Sequence, residues 1–300
     1  MIVVILKGGL GNQMFQYALG LFLSKKYHVP LKLDATFLND RTPRPHFTFR
    51  AYALDIFNLE PNFTFLSRLS FLLPLPILWL GLSQIKSRLL SILGIRPYVR
   101  QKNDAFDASL FDRGGNITVD GYFQSERYFA EAMPEVQNAF GFKEELPSEL
   151  QSIAHRMENE ESVCVHVRRG DYVSDSVVAS SLGFIGAEFF DRALAELQKT
   201  KTISRIYLFS DDIPWCRANL SFGDLPVVYE DEFPSKTSGQ TFQLMTHAKH
   251  FIIGNSTYSW WAAWVGTREA NSGMVIAPAL WARAEGIAGH DILPNQWIRI

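Results

Sequence analysis

Only 2 cysteines, Cys164 and Cys216, occur in the 300 residues, and they lie far apart. No CxxC or Cys/His spacing suggests zinc. So few cysteines argue against a disulfide-stapled secreted domain, and reduced thiols in a cytosol are expected. Cys164 sits in an apolar run and reads as a small buried residue. A basic excess is also missing. The formal net charge is -2, which argues against a nucleic-acid partner. Long apolar runs are absent as well. The stretch 71–82 is too short to span a bilayer, and Pro74 and Pro76 interrupt it. Residues 1–13 carry neither a basic leader nor an extended apolar core, so no signal peptide is expected. These absences place the chain in the cytoplasm, with peripheral contact at the inner membrane face left open. The Asn-x-Ser/Thr triplets at Asn62, Asn116, Asn219 and Asn255 then carry no meaning as glycosylation sites.

Apolar residues make up 47% of the chain, enough for a full core. The short run 2–6 is bounded by Gly8 and Gly9 and reads as a buried strand. A largely buried helix over 14–27 and a strand over 31–33 follow. That is the opening of an α/β sheet. Residues 36–111 are the least readable. The run RTPRPHF (41–47) reads as a loop, because its prolines block helix and sheet bonding. The Leu-rich stretch 67–93 reads as helix broken near Pro74 and Pro76. A short strand is expected over 117–119. From 149 onward helices and strands alternate: 149–157, 163–167, 187–199, 206–209, 213–218, 227–228, 241–248, 251–253, 258–265 and 275–277. Such alternation predicts doubly wound, mostly parallel sheets. Two domains are expected, 1–145 and 146–300.

Four strings carry chemistry. After the strand 163–167 comes HVRRGDY, from His166 to Tyr172. Ligands of open α/β sheets bind beyond the carboxyl ends of strands. Adjacent arginines there point to different sides, so one can meet a ligand while the other anchors the loop. A guanidinium fork fits phosphate oxygens. An ion pair of Arg with Asp171 is the plain structural alternative. The second string is Gly8-Gly9-Leu10-Gly11-Asn12-Gln13. It approaches the dinucleotide pattern GxGxxG but ends in Met14. Its glycines allow close backbone approach, and Asn12 offers both donor and acceptor. A tight strand–helix turn would explain the glycines alone. The third string runs from Gly254 to Trp261. Asn255, Ser256, Thr257 and Ser259 either cap a helix or, with its free amides, hold a pyrophosphate. The fourth is Phe209-Ser210-Asp211-Asp212. Adjacent acids point opposite ways and chelate poorly, so Asp211 is read as a nucleotide or structural contact. His247 and His250 read as partly buried structural residues.

Together KGGLGNQMFQYALG, GYFQSERYF, HVRRGDYV, LFSDD and FIIGNSTYSWWAAW resemble the α-1,2-fucosyltransferase family. HxRRGDY is also similar to the signature of α-1,6- and protein O-fucosyltransferases. The resemblance implies an α/β fold of GT-B type, with two Rossmann-like domains facing across a cleft. It implies inverting transfer of L-fucose from GDP-β-L-fucose to the 2-hydroxyl of a terminal galactoside. The acceptor would be a galactose-terminated oligosaccharide or lipid-linked glycan, as in O-antigen or capsule synthesis. No cofactor and no metal are expected, since the chain lacks a DxD motif. Carried over by motif, Arg169 meets the donor phosphate, and Asn12 faces it from the N-terminal domain. Donor contacts are expected from His166, Arg168, Gly11, Asp211, Asn255, Ser256, Thr257 and Ser259. Asp34 and Gln124 are the acceptor-side candidates, with Asp34 also considered as general base. Another linkage (α-1,3 or α-1,6) and a non-catalytic GDP-binding or lectin-like module stay open. So do two readings of 71–93. Its leucines either pack into the core, or they lie with Lys86, Arg88, Arg96 and Arg100 on a membrane surface.

Overall fold

A computed structural model describes residues 1–40, 42, 48–72, 78–175, 179–180, 183–267, 273–282 and 291–300. The expected loop 41–47 falls almost wholly outside them. The chain divides into two units, Met1–Lys143 with His290–Ile292, and Glu144–Gly289 with Leu293–Ile300.

The first unit is built on a four-stranded parallel sheet, in the order β2-β1-β4-β3. Its strands are β1 (Ile2–Ile5), β2 (Leu31–Asp34), β3 (Tyr98–Arg100) and β4 (Thr118–Asp120). β1 is buried at every position, as its unbroken apolar run requires of a parallel strand covered on both faces. Helix α1 (Leu10–Lys26) crosses from β1 to β2, beginning four residues before the expected start. Gly20 lets it settle on the sheet, because a Cβ there would lie 2.6 Å from a Val4 methyl. The short α2 (Thr36–Asn39) follows β2. The Leu-rich stretch forms α3 (Phe65–Leu72) and α4 (Leu78–Ile92), on either side of the two prolines. Helix α5 (Met133–Ala139) ends the unit's run of elements. The unit also takes back a piece of the C-terminal segment. Asp291 accepts from Arg127 Nη1 at 2.8 Å and from the Phe106 N–H at 2.9 Å. The Arg127 guanidinium lies 4.0 Å over the Phe106 ring.

The second unit holds a six-stranded parallel sheet, in the order β10-β9-β8-β5-β6-β7. Its strands are β5 (Ser162–Val167), β6 (Arg205–Ser210), β7 (Val227–Tyr229), β8 (His250–Ile253), β9 (Val275–Ala277) and β10 (Ile298–Arg299). The connecting helices are α6 (Ser148–Asn159), α7 (Gly170–Ser174), α8 (Ala187–Gln198), α9 (Ile213–Asn219), α10 (Ser238–Met245) and α11 (Thr257–Gly266). One core cluster joins Val163, Val165 and Val167 to Phe190, Leu194 and Ile206. Cys164 and Cys216 are free and buried, and burial pushes the Cys216 thiol up to about 11. His250 is buried within β8. Its Nδ1 accepts the Met274 N–H at 3.1 Å, which leaves Nε2 to donate to Glu161 Oε2 at 3.0 Å. This is the structural role expected of it.

The α/β class, with parallel Rossmann-like sheets, is therefore what the chain adopts. In the second sheet strand order reverses once, between β5 and β8, and in the first sheet β1 and β4 are parallel neighbours at its centre. Crevices at the carboxyl ends of such strands are where open α/β sheets bind ligands.

Candidate active site

Two of the four strings meet at the reversal point of the second unit. β5 ends at Val167 and delivers Arg168 and Arg169. β8 ends at Ile253 and delivers Gly254 to Ser256. The two ends are tied where the Gly254 N–H donates to the His166 carbonyl at 3.1 Å.

Asp211 and Asp212, just past β6, hold both arginines. Arg168 Nη1 lies 2.7 Å from Asp211 Oδ2, and Arg169 Nε lies 3.1 Å from Asp212 Oδ2. Asp211 also accepts the N–H groups of Arg169 (2.8 Å) and Gly170 (3.1 Å). Gly170 is required here, because a Cβ would stand 2.6 Å from Asp211 Oδ2. Of the two readings of Asp211, nucleotide or structural contact, these bonds serve the structural one, loop anchoring. Asp212 has a second task, as it accepts the Trp215 N–H at 3.1 Å and caps α9. The guanidinium of Arg169 lies 4.6 Å over the Trp215 ring and 5.2 Å over Phe184. Ring contacts and the Nε pair fix its plane. Among the described residues its two Nη nitrogens have no hydrogen-bond partner.

His166 is the penultimate residue of β5, with its ring 5.8 Å from that of Tyr258. Burial, then the Arg168 charge, pushes its pKa down to about 4. It is therefore neutral at pH 7. Its Nδ1 is buried and has no partner among the described residues, so a ligand edge could satisfy it.

The Asn-Ser-Thr string divides. Asn255 is buried and works as a clamp, with Nδ2 donating to the Gly183 and Trp281 carbonyls, each at 3.0 Å. Ser259 is fully buried, and its Oγ donates to the Ser256 carbonyl at 3.1 Å. Both side chains face the protein, which corrects their expected donor contact. Ser256 and Thr257 remain at the start of α11, where no side chain caps the first turn. Its leading amides are accordingly available to an anion.

In the first unit the carboxyl ends of the central strands β1 and β4 carry the glycine string and GYFQS. Gly8 has a φ of 78°, and a Cβ would lie 2.4 Å from Asn12 Nδ2, so only glycine fits. Gly11 and Asn12 form the first turn of α1. Gln13 and Gln16, unassigned by sequence, turn out to be staples. Gln13 bridges the Gly8 and Ala51 carbonyls at 2.9 and 2.8 Å. Gln16 ties Lys7 to the Gly121 carbonyl across the β1–β4 junction. Gln124 donates to Asn12 Oδ1 at 2.7 Å. That bond points the Asn12 amide and makes the two residues one polar edge. Beside it Phe123 has a φ of 51°, a strained conformation for a bulky residue and typical of functional loops. A pair with no signature in the local pattern lies at this edge, Lys7 with Asp120, to which Tyr98 Oη also donates.

Asp34 does not belong to that edge. It is 4% exposed and accepts from Thr36 (N–H, 3.0 Å; Oγ1, 2.7 Å), from Ser67 Oγ at 3.2 Å and from Ser83 Oγ. A carboxylate enclosed by four donors is a structural hub. This corrects its expected acceptor contact and its candidacy as general base.

Among the described residues no group of three or more His, Cys, Asp or Glu could hold a metal, and no helix is long and apolar enough to cross a membrane.

The family described as "Glycosyl transferase family 11" matches residues 1–300. An Escherichia coli alpha-1,2-colitosyltransferase is 31% identical over 310 residues, covering 100% of this chain and 98% of its own. The Escherichia coli O-antigen biosynthesis glycosyltransferase WbnK is 27% identical over 98% of this chain and 99% of its own. Galactoside alpha-(1,2)-fucosyltransferase 1 of Leontocebus fuscicollis is 24% identical over 50% of this chain and 43% of its own.

Proposed function

The chain belongs to glycosyl transferase family 11, and from that premise we propose that it moves a 6-deoxy-L-sugar from a GDP donor to the 2-hydroxyl of a galactoside. L-Fucose is the donor sugar of the main reading. The observation that carries it is the β5–β8 reversal, where Arg169 offers two Nη nitrogens without a hydrogen-bond partner among the described residues and α11 begins uncapped. Such an arrangement suits a diphosphate. The acceptor hydroxyl attacks C1 of the β-linked sugar while GDP leaves from the opposite face, inverting the anomeric centre. Negative charge grows on the departing phosphate. Arg169 and the first amides of α11, near Ser256 and Thr257, are aligned beforehand to stabilise it. Neutral His166 is assigned to the nucleotide, and Arg168 supports the loop. Asn12 and Gln124 are assigned to substrate hydroxyls or phosphate in the first unit. The likeness to the O-antigen biosynthesis glycosyltransferase WbnK supports an O-antigen glycan as the acceptor.

A second reading concerns the donor alone. Colitose is L-fucose without its 3-hydroxyl, and the colitosyltransferase matches this chain from end to end. Purified protein would be given GDP-fucose or GDP-colitose with lactose, N-acetyllactosamine and Gal-β1,3-linked acceptors. Product linkage would be read by NMR. An α-1,2 product with fucose is the expected result. Preference for GDP-colitose moves the donor to the second reading. An α-1,3 or α-1,6 product, or a folded protein that transfers neither sugar, overturns the proposal.

A further inference from the structure

We propose that the outer face of α3 and α4 docks on an anionic lipid bilayer. The two helices are inside-out. Among the described side chains their buried residues are serines: Ser67 and Ser70 on α3, Ser83 and Ser87 on α4. Asp34 collects Ser67 and Ser83, and Ser70 accepts from Asn39 Nδ2 at 2.8 Å. Most of the described apolar side chains of α4, and Phe65 and Leu72 of α3, face outward. Ile92 is 82% exposed, Leu72 75%, Phe65 68% and Ile85 65%. At about 100° per residue, Leu82, Ile85, Leu89 and Ile92 share one arc of α4 roughly opposite Ser83 and Ser87. Exposed Lys86 and Arg88 flank that arc on its two sides. This corrects the core reading of Leu72 and Leu89; the side chains of Leu73, Leu78 and Leu80 lie outside the described residues.

Charge chooses the occupant. From Pro61 to Asn103 the chain has six basic residues and no acidic one, in a protein of net charge -2. An apolar stripe rimmed by one sign of charge fits an interface of acyl chains and anionic headgroups. A second copy of the same face would bring like charges together. The inference goes beyond the transfer reaction and does not depend on its donor or linkage. Docking here would bring the enzyme to a membrane-borne glycan.

The test is flotation of the whole protein with phosphatidylcholine vesicles, with and without phosphatidylglycerol. Binding is expected only with the anionic lipid and should weaken as salt rises. The triple variant Ile85→Gln, Leu89→Gln, Ile92→Gln should bind at least about tenfold more weakly, since each change removes a large inserted side chain. These residues are exposed, so its melting temperature and its transfer to a soluble acceptor should match the parent. Lys86→Glu with Arg88→Glu should lose the same binding by charge alone, a check that stands even if the triple variant misfolds. Three results would overturn the proposal: no vesicle binding by the parent, equal binding by both variants, or a dimer that the triple variant dissociates. Transfer to the soluble acceptor is read separately, so a failed docking test leaves the transfer reaction standing.

Discussion

Replacing Arg169 by lysine tests the phosphate assignment, because lysine keeps the charge and removes the geometry. In the folded protein Arg169 is held by its Nε pair with Asp212 and by the faces of Trp215 and Phe184. A lysine forfeits the planar stack and the fixed pair of Nη donors. The cost to folding is small. The ion pair is partly exposed, at 19% and 35% for the two side chains, and contributes up to about 1 kcal/mol. The ring contacts add about 0.5–1 kcal/mol. A loss of about 1–2 kcal/mol leaves a domain of ordinary stability folded. The cost to catalysis is larger. Removing an aligned donor to developing charge lowers kcat by about 10²–10³, or about 3–4 kcal/mol of barrier. Arg168→Lys is the control. Its ion pair with Asp211 survives as a point charge, and activity should stay within about tenfold of the parent. Initial rates of GDP release with a galactoside acceptor, beside thermal melts of both variants, measure this. A folded Arg169→Lys protein with near-parental turnover, or a larger loss from Arg168→Lys, would refute the assignment.

Transfer should continue in excess EDTA; complete loss that Mg²⁺ or Mn²⁺ restores would show that Asp211 and Asp212 serve a metal. His166 gives the fold a pH dependence. Its folded pKa of about 4 lies below the ordinary 6.5, so the unfolded chain takes up the proton first. Stability is fully present above pH 6.5 and falls by up to about 3 kcal/mol as the pH drops toward 4. Denaturant midpoints of His166→Gln should lack that component, and an unchanged profile would count against it. Asp34→Ala should cost about 2–4 kcal/mol, by leaving buried hydroxyls unpaired. If instead the variant melts normally and loses kcat, Asp34 is catalytic after all.

Much of the second unit was legible because its strands are short apolar runs bounded by glycine and charge. The β5 and β8 stretches were expected within a residue of where they lie. That HVRRGDY and Gly254–Trp261 would adjoin was not legible, because strand order is absent from local pattern. Nor were the side-chain directions. Nothing in the string Asn255-Ser256-Thr257-Tyr258-Ser259 says that Asn255 and Ser259 turn inward while Ser256 and Thr257 stand at the helix start. Strand β3 was missed because Tyr98–Arg100 is three residues at a sheet edge. Helices α3 and α4 were placed correctly as elements. Their polarity stayed open between core and surface, since the usual rule turns the apolar stripe inward, whereas here a carboxylate draws Ser67 and Ser83 in.

Asp291 bears on any attempt to recombine this enzyme with a relative. A chimera joined after Lys143 would exchange one sheet for another, yet it would also carry away the residue that holds Arg127 and the Phe106 amide. The first unit would then keep a cation stacked on an aromatic ring with no carboxylate to receive it. A workable graft needs three joints, one after Lys143 and one on each side of the returning segment. Shortening the chain from its far end would likewise damage the part synthesised first.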